Sequence, residues 1–310
     1  MIKFFVNLSP AIKGIGLAFL ATIGMANVYV FSKAALLEIN FFQFQFYWFA
    51  FGLLWIAIFL LASGVIKTIP NLSRSSFKNL GLIGVLETGA ALTMFLAIQL
   101  AENPATVSFL SNATPIFVTI FGIRFLKERF NTIEAIGIIM TIGGVIMISY
   151  TRNTTISDFF GNGSGWILVS SLLLSTSIIF TKINIKNIHP GVFAINRVAF
   201  LLTFGILAML LKQESFKVPG SALFNMAMGS FLGPFLTALT QYSALKYIEA
   251  SRTMIIQATR GLFVLIGSMI YLSILPTSMQ VIGGTITIIG VIIISWGKIR
   301  NKKNKKRSSG

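Results

Sequence analysis

Glu87 sits in the middle of the run "NLGLIGVLETGAALTMFLAIQL", residues 79–100, and nothing else in that run is charged. A carboxylate at the centre of a bilayer costs about 2.5–3.5 kcal/mol on insertion scales, so an intramembrane acid faces a polar cavity or a partner and defaults to a functional hypothesis. Arg260 is the matching puzzle of opposite sign, in "IIQATRGLFV", with Gln257 one turn before it on a similar face. An arginine stays charged and grips a carboxylate or phosphate through paired N–H donors. Arg260 can therefore bind an anionic substrate group, or neutralise Glu87 when the site is empty, or serve as a purely structural pair. The two functional readings are compatible, because a substrate carboxylate can replace Glu87 as its partner. Enzyme chemistry lacks parts. The only histidine, His189, stands beside Pro190 in a predicted loop, and the only aspartate, Asp158, lies in another. No cysteine and no metal-ligand cluster is present. "GNGSG", residues 161–165, lacks the Lys-Ser/Thr of a phosphate-binding loop. No cofactor is expected.

The elements that position these residues are membrane spans. The chain has 310 residues, is 55% hydrophobic and only 11% charged, and has a mean hydropathy of +0.84. A soluble domain averages about 25% charged residues. A span needs about 20 predominantly apolar residues, and ten runs qualify: 11–31, 41–63, 77–99, 104–125, 131–149, 163–182, 191–211, 221–244, 248–270 and 276–296. The connectors are short and polar, so no soluble domain is expected. The first run lacks a cleavage site and reads as a retained span.

The net charge of +17 would point to nucleic acid in a soluble protein. Here the basic residues fall in short connectors, and membrane topology explains them better, so no nucleic-acid partner is expected. With the N-terminus inside, nineteen of the 25 Lys and Arg residues fall on the inner side. Lys33, Arg152, Lys212 and Lys217 fall outside, and Arg197 and Arg260 lie within spans. That asymmetry predicts ten spans with both termini cytoplasmic, in the inner membrane. The tail "KKNKKR" serves as a topology signal and could also meet anionic lipid headgroups. The charges of "LKERF", residues 126–130, are expected to be cytoplasmic and solvated.

The chain repeats itself. Phe31-Ser32-Lys33 and Phe180-Thr181-Lys182 stand 149 residues apart. Ala97, Glu102 and Thr106 match Ala244, Glu249 and Thr253 at an offset of 147, while Gly137, Gly144 and Ser149 match Gly283, Gly290 and Ser295 at 146. Two halves of five spans follow, residues 1–152 and 153–299, with a basic tail at 300–310. Five is odd, so the second half is inverted in the membrane, as in many secondary transporters. The Ser/Thr-Lys pairs, the run "LAENPATVSFLSNATPIFVTIFGIRFLKERF" and the glycines of spans 5 and 10 together resemble the drug/metabolite transporter superfamily, EamA type. The resemblance covers nearly the whole chain. The second half departs from it at Leu275, where an acid is usual. The resemblance implies a central cavity among spans 1, 3, 4, 6, 8 and 9.

The candidate site follows from these placements. Glu87 shares a face with Ala90, Ala91 and Met94, one turn after Gly84. The 147-residue offset sets Pro234 opposite Glu87. A proline frees a backbone carbonyl, which at membrane depth is tolerated where it lines a cavity or is buried in protein. Asn27, Tyr29 and Thr22 in span 1, and Ser171, Ser175 and Thr176 in span 6, supply hydrogen bonds to a ligand or to other helices. Arg197 lies nearer the inner end of span 7 and is expected to snorkel in a structural role. Lys33 and Lys182 either complement helix C-termini or gate the two mouths. The aromatic run "FFQFQFYWF", residues 41–49, reads as an interfacial belt, and Gly143-Gly144 and Gly283-Gly284 as packing contacts. The expected protein is all-α: a secondary transporter of a small carboxylate- or phosphate-bearing metabolite, working by alternating access around a midplane site. Glu87 is the candidate proton carrier. A non-transporting, lipid-binding scaffold with a structural Glu-Arg pair is the alternative.

Overall fold

A computed structural model describes residues 8–100, 110–149, 164–260, 263 and 277–307, and the described residues are helical apart from short connectors. The helices are α1 (Pro10–Leu36), α2 (Phe41–Ala62), α3 (Arg74–Leu100), α4 (Ala113–Leu126), α5 (Thr132–Ser149), α6 (Ser164–Asn184), α7 (Pro190–Lys212), α8 (Gly220–Ser230), α9 (Ala238–Tyr247), α10 (Ala250–Ala258) and α11 (Ser278–Arg307). A π-helical segment, Phe231–Thr237, joins α8 to α9. By length and composition, five described stretches can cross a membrane: Pro10–Val28, Phe41–Ala62, Gly165–Asn184, Pro190–Lys212 and Gly220–Tyr247. Three shorter apolar helices, Ala113–Leu126, Thr132–Met147 and Ser278–Ile294, accompany them. Residues 104–109 and most of 261–276, where parts of three expected spans fall, lie outside the described residues. α11 continues as helix through the basic residues expected in a tail.

Local chemistry sets the ends. Asn40 and Gln43 form a reciprocal capping box at the start of α2, each side chain accepting the other's backbone N–H. Pro190 opens α7, where its missing N–H costs nothing. Lys127 ends α4 in the left-handed region, φ 55°.

The helices pack side by side, several of them through close approach at glycines. α3 lies along α6 and α7, α1 along α8, α9 and α10, and α2 along α7 and α8. α4 meets α6 and α10, and α5 pairs lengthwise with α11. The main core gathers Ile56, Ile83, Val118, Ile178, Phe193 and Tyr242 from six helices. Within the expected aromatic belt, Phe44 and Trp48 turn inward onto Ala222 and Met226 of α8. Gln43 and Tyr47 donate to the carbonyls of Ser215 and Phe216. The belt is partly a seam because its polar tips find partners in the α7–α8 connector.

Candidate functional site

Glu87 is buried at the heart of this packing. Gly84, one turn earlier on α3, leaves room for the Phe200 ring of α7; a Cβ there would lie 2.5 Å from it. Asn196 of α7 donates to the Leu80 carbonyl of α3 at 2.9 Å. This close crossing brings Arg197 to Glu87, with Nη1 3.9 Å from Oε1. From α9, the Tyr242 hydroxyl donates to the same Oε1 at 2.7 Å. The guanidinium also lies against that hydroxyl, and the Tyr242 ring packs on Phe193, 5.7 Å between centroids. The Ser177 hydroxyl of α6 faces the carboxylate as well. Yet Glu87 Oε2, Ser177 Oγ and, one turn on, Thr181 Oγ1 are buried with no hydrogen-bond partner among the described residues. The nearest donor to the carboxylate is thus a neutral phenol, and the guanidinium stands beyond hydrogen-bond distance. Only 3% of the Glu87 side chain is exposed, against 33% of that of Arg197.

The other residues named from sequence fall in several places. The contacts of Glu87 run to Arg197, Tyr242 and Ser177, so Arg197, assigned above to snorkelling, is the cation beside it. Arg260 is half-buried and forms no hydrogen bond or ion pair with a described residue. Gln257 Nε2, on α10, is buried without a partner. Pro234 is buried in the π segment and packs on Gly52 of α2, where a Cβ would lie 2.6 Å from its own. A π turn frees backbone groups and is common at functional sites; here Thr237 Oγ1 donates to the Leu232 carbonyl at 2.7 Å. Asn27 donates to the Ile23 carbonyl, and Thr22 to that of Ala18. Ser175 donates to the Ser171 and Thr114 carbonyls. Met94 is exposed. The side chains of Tyr29 and Lys33 lie outside the described residues. Tyr242 and Ser177 were not legible as partners. A buried tyrosine hydroxyl does need a partner, but sequence alone gives no direction around the helix.

A second charged cluster corrects one expectation. Glu128 of "LKERF" is buried, not solvated. Lys127, left-handed, turns the chain so that Glu128 N donates back to the Gly122 carbonyl. The carboxylate then accepts from Ala250 N at 2.8 Å, from Ser251 N at 3.3 Å and from Ser251 Oγ at 2.5 Å. It therefore caps the N-terminus of α10, where unsatisfied N–H groups and the helix dipole favour an anion. A Cβ on Gly122 would lie 2.6 Å from Glu128 Oε2, so glycine is what admits it. Across the α9–α10 break, Lys182 of α6 donates to the carbonyls of Leu245 and Ile248. A cation thus meets the C-terminus of one helix and an anion the N-terminus of the next. Beside them, Glu134 is also buried, and its Oε1 accepts from Arg252 Nε at 2.9 Å and Nη2 at 2.6 Å.

His189, expected in a loop, is the N-cap of α7, with Nδ1 accepting from Gly191 N at 3.1 Å. Burial first, then nearby Lys246, hold its imidazole below the ordinary value of 6.5. The folded state favours the neutral ring, so this stability is present above the unfolded value and is lost as pH falls below it. Protonation also removes the acceptor. Thermal unfolding of wild type should show a modest fall across that window, flattened in His189→Asn, which keeps a cap but does not titrate. An equal pH slope in both would sink this assignment.

The sequence profile of the EamA-like transporter family matches residues 12–150 and again 161–296. The chain belongs to that family, and is accordingly a multi-pass membrane transporter of the drug/metabolite transporter type. It is 24% identical to a WAT1-related protein of Arabidopsis thaliana, over 92% of this chain and 87% of that protein. It is 23% identical to an uncharacterized transporter of Clostridium kluyveri, over 77% and 76% of the two chains. One solved crystal structure shares its fold, with a TM-score of 0.75 over 92% of this chain and 94% of the other, at 17% identity.

Proposed function

We propose that the protein is a secondary transporter of a small metabolite in the cytoplasmic membrane, with ten spans, both termini inside and a substrate site at the Glu87 cluster. The carrying observation is that this cluster is shared. Glu87 comes from the first family-matched segment, and Arg197, Tyr242 and Ser177 come from the second. A charged centre where two halves meet is where a rocking motion opens it to either side in turn.

Helix pairing supports two inverted halves of five spans. Exchanging each span with its counterpart maps α3–α6 onto α1 with α8 and α9, α4–α6 onto α1–α10, and α3–α7 onto α2–α8; α2–α7, α4–α10 and α5–α11 map onto themselves. Arg260, Gln257, Asn27, Tyr29, Met94, Ser175 and Pro234 sit on the spans that line the cavity in this reading. Lys182, fastened across the α9–α10 break, holds the inner mouth closed, and Lys33 is its counterpart at the outer mouth. The driving force is the substrate gradient, exchange or protons.

The test uses proteoliposomes bathed in a defined mixture of amino acids and organic acids, with their contents read by mass spectrometry. Wild type should accumulate at least one compound over empty vesicles. Glu87→Gln should lose about tenfold or more of that rate, the loss of one charge-dependent contact. Wild-type vesicles indistinguishable from empty ones, or a full-speed Glu87→Gln, would overturn the reading.

A further inference from the structure

We infer that Arg197 is the receptor for an anionic group, a carboxylate or phosphate, and that Glu87 takes up one proton whenever that anion binds. The inference rests on the Glu87 cluster being the substrate site and adds its ligand class and charge balance. Among the described residues, the charged and titratable groups facing Glu87 are Arg197 from α7 and Tyr242 from α9, and α6 presents the Ser177 hydroxyl.

The geometry of Arg197 is that of a held but uncommitted cation. Its nearest approach to the carboxylate is 3.9 Å, through one nitrogen. A committed Arg–carboxylate pair has two parallel bonds at about 2.7–2.9 Å. A third of the side chain is open, whereas Glu87 is enclosed. An anion that reaches the guanidinium can bond to it without breaking the Tyr242–Glu87 bond. Arginine is suited to it, because the planar fork matches carboxylate and phosphate oxygens.

Charge balance then fixes what Glu87 does. In the empty site, one buried carboxylate faces one guanidinium. When an outside anion takes that guanidinium, the carboxylate stays buried at 3% exposure without a counter-charge. A buried ion whose partner is taken away is strongly destabilised, and such a group neutralises instead. A proton from solvent adds to Glu87, no other bond breaks, and the site returns to net neutrality. The cluster has a place ready for it. Oε2 is the carboxylate oxygen with no partner, and the Ser177 hydroxyl oxygen facing the group is also unfilled. A proton on Oε2 makes it a donor to Ser177 Oγ, while Oε1 keeps the Tyr242 hydroxyl.

Two properties follow. The site favours an anion over its neutral isostere. A monoanion enters with one proton, so its movement carries no net charge.

The experiment uses the purified full-length protein in detergent, with acetate as probe and acetamide as its neutral isostere. Binding heats in two buffers of different protonation enthalpy give the protons taken up per acetate bound. The expected result is acetate binding with uptake of one proton, and no binding of acetamide. Any acetate binding that Glu87→Gln retains should come without proton uptake. Arg197→Gln should bind acetate about tenfold more weakly or worse, with Arg197→Lys in between. No acetate binding, equal binding of acetamide, or binding without proton uptake in wild type would each overturn the inference, and these wild-type results stand even if a variant fails to fold. Vesicles that accumulate nothing alongside proton-linked acetate binding would refute the transport reading alone. Transport alongside acetate binding without proton uptake would refute this inference alone.

Discussion

Arg252→Ala should lower stability by about 3–5 kcal/mol, the cost of leaving a buried charge without its partner. Arg252 has 4% of its side chain exposed and Glu134 none. Two of its nitrogens donate to Glu134 Oε1. A third lies 2.6 Å from Glu249 Oε2. Nη2 reaches the Arg129 carbonyl at 3.2 Å, and the guanidinium stacks 4.8 Å above the Phe130 ring. Alanine removes every one of these and strands the Glu134 carboxylate. Thermal unfolding in detergent reads the loss. The double variant Arg252→Met with Glu134→Leu should recover a large part of it, because removing both members of a buried pair is often near neutral. A single variant as stable as wild type would show that Glu134 reaches water when its partner goes.

Gly144→Val should be nearly as damaging, by about 3 kcal/mol, the upper end of overpacking costs. A Cβ at Gly144 would lie 2.5 Å from the Gly283 carbonyl oxygen and 2.7 Å from Thr287 N. These are backbone atoms of α11 and cannot rotate away. The seam repeats the arrangement from the other side, since a Cβ at Gly290 would lie 2.6 Å from Thr141 N of α5. In a bilayer, helices associate through such close approach rather than through hydrophobic driving force. Gly143→Val is the paired control, because nothing lies within 4 Å of a Cβ there. If Gly143→Val and Gly144→Val unfold together, the seam does not carry this load.

The described helices were legible because long apolar runs announce them. Glu87 was legible because its cost at membrane depth demands a reason. Its surroundings were harder to read. Arg197 looks like a snorkelling residue when only depth is counted, and depth says nothing about which way a side chain points around its helix. The close crossing at Gly84 and Phe200 turns it toward Glu87. Tyr242 lies two turns past Pro234, so the repeat offset that pointed to the proline passed over it. Of the two adjacent glycines in α5, only Gly144 meets α11, a distinction of rotation that composition cannot supply. Glu128 read as an ordinary loop charge because short connectors in membrane proteins are full of them. The left-handed turn at Lys127, which no propensity flags, buries Glu128.

The cap that Glu128 places on α10 also bears on how the chain is built as it leaves the ribosome. The acid is made 122 residues before the Ala250 N–H it satisfies. By the time α9 and α10 are synthesised, the α4–α5 turn that holds it has already been made. Synthesis order therefore makes the first family-matched segment a template for a corner in the second. A second half expressed alone would have to insert with the Ala250 and Ser251 N–H groups uncapped. The same half translated in the same membrane as its missing partner would find the cap waiting.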